Sequence, residues 1–236
     1  MKKQTILITG AAKRIGAAIA KHFANNDCNI IINYLHSENE AIQLAEYIKK
    51  MKANPIPYKA DITNVDEVSA MFMYAKKGFG GVDILINNAG VFPPKQPLEK
   101  LKYSDYISTL NLNMSAAIIT TKELVNTNVS NARVINIASV GGAKIFKNHI
   151  DYNVSKSGLI RLTQVLAKEL SPSISVNCIC PGIVQIGNEK IDFPFENIPM
   201  QRFATTDDII AAVNFFATGP SYITGQVLYV SGGMEL

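Results

Sequence analysis

The sequence predicts an α/β protein, a single doubly wound parallel sheet of seven strands with helices on both faces. Three observations carry this. Short apolar runs alternate with stretches of helical periodicity along the whole chain, and no linker or repeat interrupts them. The segment TILITGAAKRIGAAIA, residues 5–20, reads strand, glycine turn, helix. Finally, 236 residues at 47% hydrophobic suffice for one large core, so one domain spans residues 1–236.

Taken in order, Ile6–Thr9 is the first strand, and after the Gly10 turn Ile15, Ile19 and Phe23 recur at helical spacing. Asn29–Asn33 is the second strand; SENE at 37–40 follows as a capping box, with Ser37 capping the next helix and Glu40 reaching back. Pro55–Lys59 is the third strand, and Val65, Val68, Phe72, Ala75 and Phe79 then mark an amphipathic helix. Ile84–Asn87 and Val134–Ser139 are the fourth and fifth strands. Leu159, Leu162, Leu166 and Leu170 stripe a helix before Ser175–Ile179, and Gln226–Val230 closes the sheet. Right-handed crossovers gather the loops at the carboxyl ends of the strands. Two segments break the rhythm, the proline-rich Val91–Leu98 and Gln185–Thr205 with Pro194 and Pro199. The second is the better candidate for a mobile substrate lid.

Composition excludes several classes. The net charge of +4 is spread along the chain without a basic stripe interleaved with aromatics, so no nucleic-acid partner is expected. No run approaches the length of a membrane span, and the N-terminal MKKQTILITG has an apolar core too short for a secretory signal; a cytoplasmic protein is expected. Cys28, Cys178 and Cys180 have neither disulfide nor metal spacing, so no metal is expected.

Two motifs carry chemistry. YNVSK places the phenol of Tyr152 and the ammonium of Lys156 four residues apart, on one face of a helix. A cation beside a phenol favours the phenolate and lowers its pKa toward the range of a working acid catalyst. In the glycine turn, a helix starting after Gly10 points its free N–H groups at an anion, as a first βα turn does toward a dinucleotide pyrophosphate.

With TGAAKRIG at 9–16, Asp61 in ADIT, NNAG at 87–90, Asn113 in NLNMSAA, Ser139 thirteen residues before Tyr152, PG at 181–182 and a C-terminal ITGQVLYVSGG, the chain resembles the single-domain short-chain dehydrogenase/reductase family over essentially its whole length. The resemblance implies a Rossmann-type nucleotide-binding domain and hydride transfer between a nicotinamide and a carbonyl or alcohol, with Tyr152 as proton donor. Lys156 would hold the nicotinamide ribose and stabilise the tyrosinate, Ser139 would bond the substrate oxygen, and Asn113 would bind a water linking Lys156 to solvent, with Asn111 its rival. The cofactor-binding set it implies is Gly10, Lys13, Arg14, Ile15, Gly16, Tyr34, His36, Ser37, Asp61, Ile62, Asn88, Ala89, Gly90, Tyr152, Lys156, Pro181, Gly182 and Ile183. It also implies a homotetramer built on the helices around Asn113 and Tyr152, where Ile118, Ile119 and Leu162 serve either an interface or the subunit's own core.

At the end of the second strand the chain reads Asn33, Tyr34, Leu35, His36, Ser37, without the carboxylate that an NAD enzyme places on the ribose 2′-hydroxyl. Lys13 and Arg14 add positive charge, and Arg14 can fork to a phosphate, so NADP(H) is expected over NAD(H). The turn, Tyr34, His36, Ser37 and GNEK after the PG look similar to pteridine-reductase-like members, which tend to carry aspartate where this chain has Ser139; the serine points back to ketone or 3-oxoacyl thioester reduction. Pterin, quinone and sugar reductases, and a non-catalytic NADP-binding sensor, are the alternatives. Ile186 stands where many members have a threonine for the nicotinamide amide, so backbone near Ile183 or Gln185 must replace it. His149 is read as a surface residue of the polar run KNHID in preference to a substrate contact.

Overall fold

The computed structural model describes residues 3–127 and 131–236; Met1 and Lys2, at the start of the N-terminal segment, lie outside the described residues. The chain runs β1 (Gln4–Ile8), α1 (Arg14–Phe23), β2 (Cys28–Tyr34), α2 (Glu38–Lys49), β3 (Asn54–Lys59), α3 (Val65–Phe79) and β4 (Ile84–Asn87). It continues α4 (Tyr103–Leu110), a π-helical turn at Asn111–Ser115, α5 (Ala116–Asn126), β5 (Ala132–Ile137), α6 (Ile150–Leu170), β6 (Ile174–Pro181), α7 (Thr206–Thr218) and β7 (Val227–Val230). All seven strands pair in parallel in the order β3-β2-β1-β4-β5-β6-β7.

The period-two alternation of the strands sorts their side chains onto two faces. Ile6, Ile8, Ile30 and Ile32 pack with Ile19 and Phe23 of α1 and Phe216 of α7, whereas Leu7, Ile31, Leu85 and Val134 pack with Phe72 of α3 and Leu124 of α5. Both faces are therefore covered, which is why the strands read as continuous apolar runs. The chain winds outward in opposite directions from β1 and β4, and the crevice lies where those directions diverge.

The expected strands are all present; Ile84–Asn87 keeps its expected ends and the other six are shifted at one or both. Ser139 falls beyond β5 and opens a one-turn 3-10 helix at Val140–Gly142. The expected capping box at SENE does not form. Ser37 has φ −93° and ψ 59°, away from the extended backbone that aims a cap oxygen at the helix amides, and its side chain makes no capping bond. A capping box exists instead at α7, where Thr205 and Asp208 reciprocate. The segment 185–205 is closed at its root, since Gln185 N–H donates to Ala204 O at 2.8 Å and Ala204 N–H to Ile183 O at 2.9 Å. Within it, Ile198 is buried against Val140 and Met234.

Candidate functional site

The glycine turn is held by NNAG. The Asn88 Nδ2 donates to Thr9 O at 2.9 Å and Gly10 O at 3.2 Å, while Asn88 and Ala89 N–H both donate to Thr9 Oγ1. Gly10 takes φ +60°, the left-handed conformation that favours glycine. Arg14 takes φ 56° at the start of α1, which explains why a glycine suits that position in related turns. The first intrahelical bond is Ala17 N–H to Lys13 O, so the amides of Arg14, Ile15 and Gly16 lack helical acceptors and form an anion cradle.

A cavity of about 480 Å³ begins at this cradle and is lined by Gly10, Lys13, Arg14, Ile15 and Gly16, by Asn33, Leu35 and His36 after β2, by Asp61 and Ile62 after β3, and by Asn88, Ala89 and Gly90. No acid from the end of β2 lines it. Tyr34 and Ser37 stand outside that lining: Tyr34 is turned into the core, its hydroxyl donating to Glu38 Oε1, and Ser37 is half-buried. Leu35, not singled out from sequence, lines the cavity in their place. Arg14 is not a free fork, because its Nη1 donates to Glu189 Oε1 at 2.6 Å across the mouth of the 185–205 segment.

A second cavity of about 290 Å³ shares Arg14, Ile15, Asn88, Gly90 and Val91 with the first and is lined further by Ser139, Tyr152, Lys156, Pro181 and Gly182. Ile183 does not line it; its side chain joins the cluster around Val140, and Val184 and Ile186 line the cavity instead. Gly142 lets α6 approach, since a Cβ there would sit 2.9 Å from the Lys156 backbone. Ser139 Oγ accepts from Gly141 N–H at 3.0 Å, and its hydroxyl hydrogen bonds to Tyr152. It is thus both a turn cap and a neighbour of the phenol.

Burial pushes the Tyr152 phenol above its ordinary value, and the bond from Ser139 only partly opposes it. Lys156 is pulled down to about 8 by burial, its Nζ donating to Ile137 O at 3.0 Å. The expected lowering of the phenol by the ammonium is therefore overturned in this state. Desolvation is the largest cause at both groups, and neither acts measurably on the other's shift.

Asn113 is buried inside the π-helical turn, whereas its rival Asn111 is exposed. The extra residue in that turn rotates Asn113 inward, where Nδ2 donates to Val91 O at 2.9 Å and to Ser155 Oγ at 3.2 Å. It lines neither cavity and stands behind Gly90. His149 is not a surface residue. It is 4% exposed, and its ring stacks on Phe92 at 4.4 Å between centroids. Sequence gave no signal for Phe92, because a single aromatic in a proline-rich loop has no periodicity to read. No cluster of His, Cys, Asp and Glu fit for a metal occurs among the described residues, and no described helix is long and apolar enough to cross a membrane.

The sequence profile of the family described as enoyl-(acyl carrier protein) reductase matches residues 10–235. The chain is 33% identical to the 3-oxoacyl-[acyl-carrier-protein] reductase FabG of Buchnera aphidicola, over 99% of this chain and 98% of that one. A short-chain dehydrogenase/reductase of Serratia marcescens superposes with a TM-score of 0.92 at 28% identity, covering 100% of this chain and 99% of the other. A blue fluorescent protein from a metagenomic library, solved in complex with NADPH, gives 0.89 at 28% identity, covering 100% and 99%. With this fold, this crevice and these full-length matches, the chain belongs to the short-chain dehydrogenase/reductase family of oxidoreductases.

Proposed function

We propose that this oxidoreductase uses NADPH to reduce the ketone of a 3-oxoacyl thioester to an alcohol, with Tyr152 as proton donor. The observation that carries the reading is the meeting of Ser139, Tyr152 and Lys156 on the wall of one cavity that adjoins a second, lined by the glycine turn. The residues fit a dinucleotide: free helix amides for its pyrophosphate, Arg14, once released from Glu189, with Lys13 and His36 for a 2′-phosphate, and Asp61 toward the adenine. When bound, NADPH supplies the hydride.

Ser139 turns its hydroxyl from Tyr152 to the substrate carbonyl, stabilising negative charge as it grows on oxygen. Tyr152 gives its phenolic proton to that oxygen, closing the alcohol. The tyrosinate left behind favours the charged form of Lys156, which holds the nicotinamide ribose and returns a proton. Asn113, fixed against Val91 and Ser155, sits behind this relay and leads it to solvent. The 3-oxoacyl class is supported by Ser139 and by the curated relatives' names.

The reading extends to assembly as a homotetramer. Ile119 and Leu162 pack within the subunit, but Ile118 and Val125 on α5 and Val154 and Val165 on α6 remain exposed on faces that a second copy would cover.

The test is NADPH oxidation against 3-oxoacyl thioester, dihydropterin, quinone, sugar and simple ketone acceptors, run beside Tyr152→Phe. Thioester turnover that disappears in the variant supports the proposal. Turnover surviving in the variant overturns the role of Tyr152, and tight NADPH binding with no turnover favours a sensor.

A further inference from the structure

The proline-rich segment after β4 is bound to the turn before α6 at several points. Gln96 N–H donates to Asn148 O at 2.8 Å, a ring nitrogen of His149 bonds the Pro93 backbone, and Phe92 stacks on His149 with 23° between the planes. Phe92 also sets its ring edge against Tyr152, centroids 4.6 Å apart, and meets Phe146 edge-on at 6.5 Å. Phe92 is 59% exposed and lines the cavity that holds Ser139 and Tyr152, while His149 beneath it is buried.

The histidine is not there for packing alone. Its Nδ1 is buried without a hydrogen-bond partner, one of three such side-chain atoms among the described residues, and a second, Gln96 Oε1, lies on the proline-rich segment bonded to this turn. A phenylalanine would stack equally well and leave no unpaired nitrogen. Resting on the reading that Tyr152 is the proton donor, we infer that His149 is a positioning residue: it holds Phe92 against Tyr152 as the outer wall of the substrate site, and the wall selects which group may flank the reacting carbonyl.

The charged groups facing His149 are Lys95 from the proline-rich segment and Asp151 from its own helix. Burial first, then Lys95, lowers the imidazole's pKa, against weaker opposition from Asp151 and the Pro93 bond, so the ring is neutral at pH 7. Protonation at lower pH would set a second cation beside Lys95 and loosen the stack.

The experiment compares an acetoacetyl thioester with a benzoylacetyl thioester, which differ only in the group on the ketone carbon, in wild type, His149→Asn and His149→Phe. Asn removes the ring and Phe keeps it. We expect the benzoyl-to-acetyl ratio of kcat/KM to rise about tenfold in His149→Asn, the scale of a pocket contact, with kcat for the small acceptor little changed, and to stay at the wild-type value in His149→Phe. Wild-type discrimination should weaken as acidification carries the imidazole through its titration, which burial moves below the ordinary histidine range, while that of His149→Phe stays flat. An unchanged ratio in His149→Asn, or the same loss for both acceptors, overturns the inference.

A second arm needs no turnover. The chain has no tryptophan, so Phe92→Trp supplies a single indole whose emission is excited selectively at wavelengths the nine tyrosines do not absorb. With His149 present its emission should fall as pH drops through the imidazole's titration, and in the double variant with His149→Phe it should not. Identical titrations overturn the contact. If wild type reduces neither thioester, the proposed function fails while this arm still decides the contact.

Discussion

Asn113 grips Val91 at both ends of its carboxamide: Oδ1 accepts from Val91 N–H at 2.8 Å, and Nδ2 donates to Val91 O at 2.9 Å. Val91 follows Gly90 of the NNAG motif and lines both cavities, so a π-helical turn directly fixes the backbone of the crevice.

Asn113→Ala removes both bonds to Val91 and should cost about 1–3 kcal/mol, since each net hydrogen bond is worth about 0.5–1.5 kcal/mol and water can reach part-exposed Val91. Urea unfolding measures this as a lower midpoint. An unchanged midpoint would mean that Val91 finds other partners.

Tyr152→Phe removes the proton donor and keeps the ring that packs on Phe92. We expect kcat to fall about 10²–10⁴-fold, the usual contribution of a positioned acid, with NADPH affinity within a factor of a few. Steady-state kinetics beside a fluorescence titration of NADPH separates the two effects.

Lys156, held down to about 8 from 10.5 by burial, makes stability pH-dependent. Between those values the unfolded chain keeps the proton and the folded chain has released it, so stability rises with pH across the window, by about 3 kcal/mol. Below pH 8 both states are protonated and the burial penalty is felt in full. Cys28, pushed up to about 11 by burial, works in the opposite direction above pH 9. The quantity to read is therefore the difference between wild type and Lys156→Met. It should narrow from pH 8 to 10.5 in urea titrations of cofactor-free protein, and a constant difference would refute the assignment.

Arg14 pairs with Glu189 while lining both cavities, so Glu189 competes with any phosphate for the guanidinium. The pair is exposed and worth at most about 1 kcal/mol, so Glu189→Gln should tighten NADPH binding by no more than about fivefold. Arg14→Ala should weaken NADPH more than NADH. Equal weakening of both cofactors in a binding titration would move the 2′-phosphate contact to Lys13.

Ile118, Val125, Val154 and Val165 lie exposed on α5 and α6. Sedimentation at micromolar concentration should give a tetramer for wild type and smaller species for Val154→Glu. Monomer for both would remove the assembly.

The sequence by itself determined the fold class, because inner strands buried on both faces are apolar almost throughout, while the partly buried edge strands β3 and β7 followed from the alternation of strand and helix along the chain. It also marked Gly10, Tyr152 and Lys156, since local spacing places them on one turn or one helix face, whereas Ser139 was marked by the family resemblance alone. Strand ends slipped by a few residues, as at Ser139, where backbone geometry rather than hydrophobicity decides. Only the tertiary structure separated Asn113 from Asn111, turned Tyr34 into the core, gave Arg14 to Glu189 and brought Phe92 over His149 and Tyr152. Each of these is a contact between segments far apart in the chain. The direction of the Tyr152 and Lys156 shifts belongs with them: charge spacing along a helix predicts attraction, but how deeply the pair is buried is set by everything packed around it.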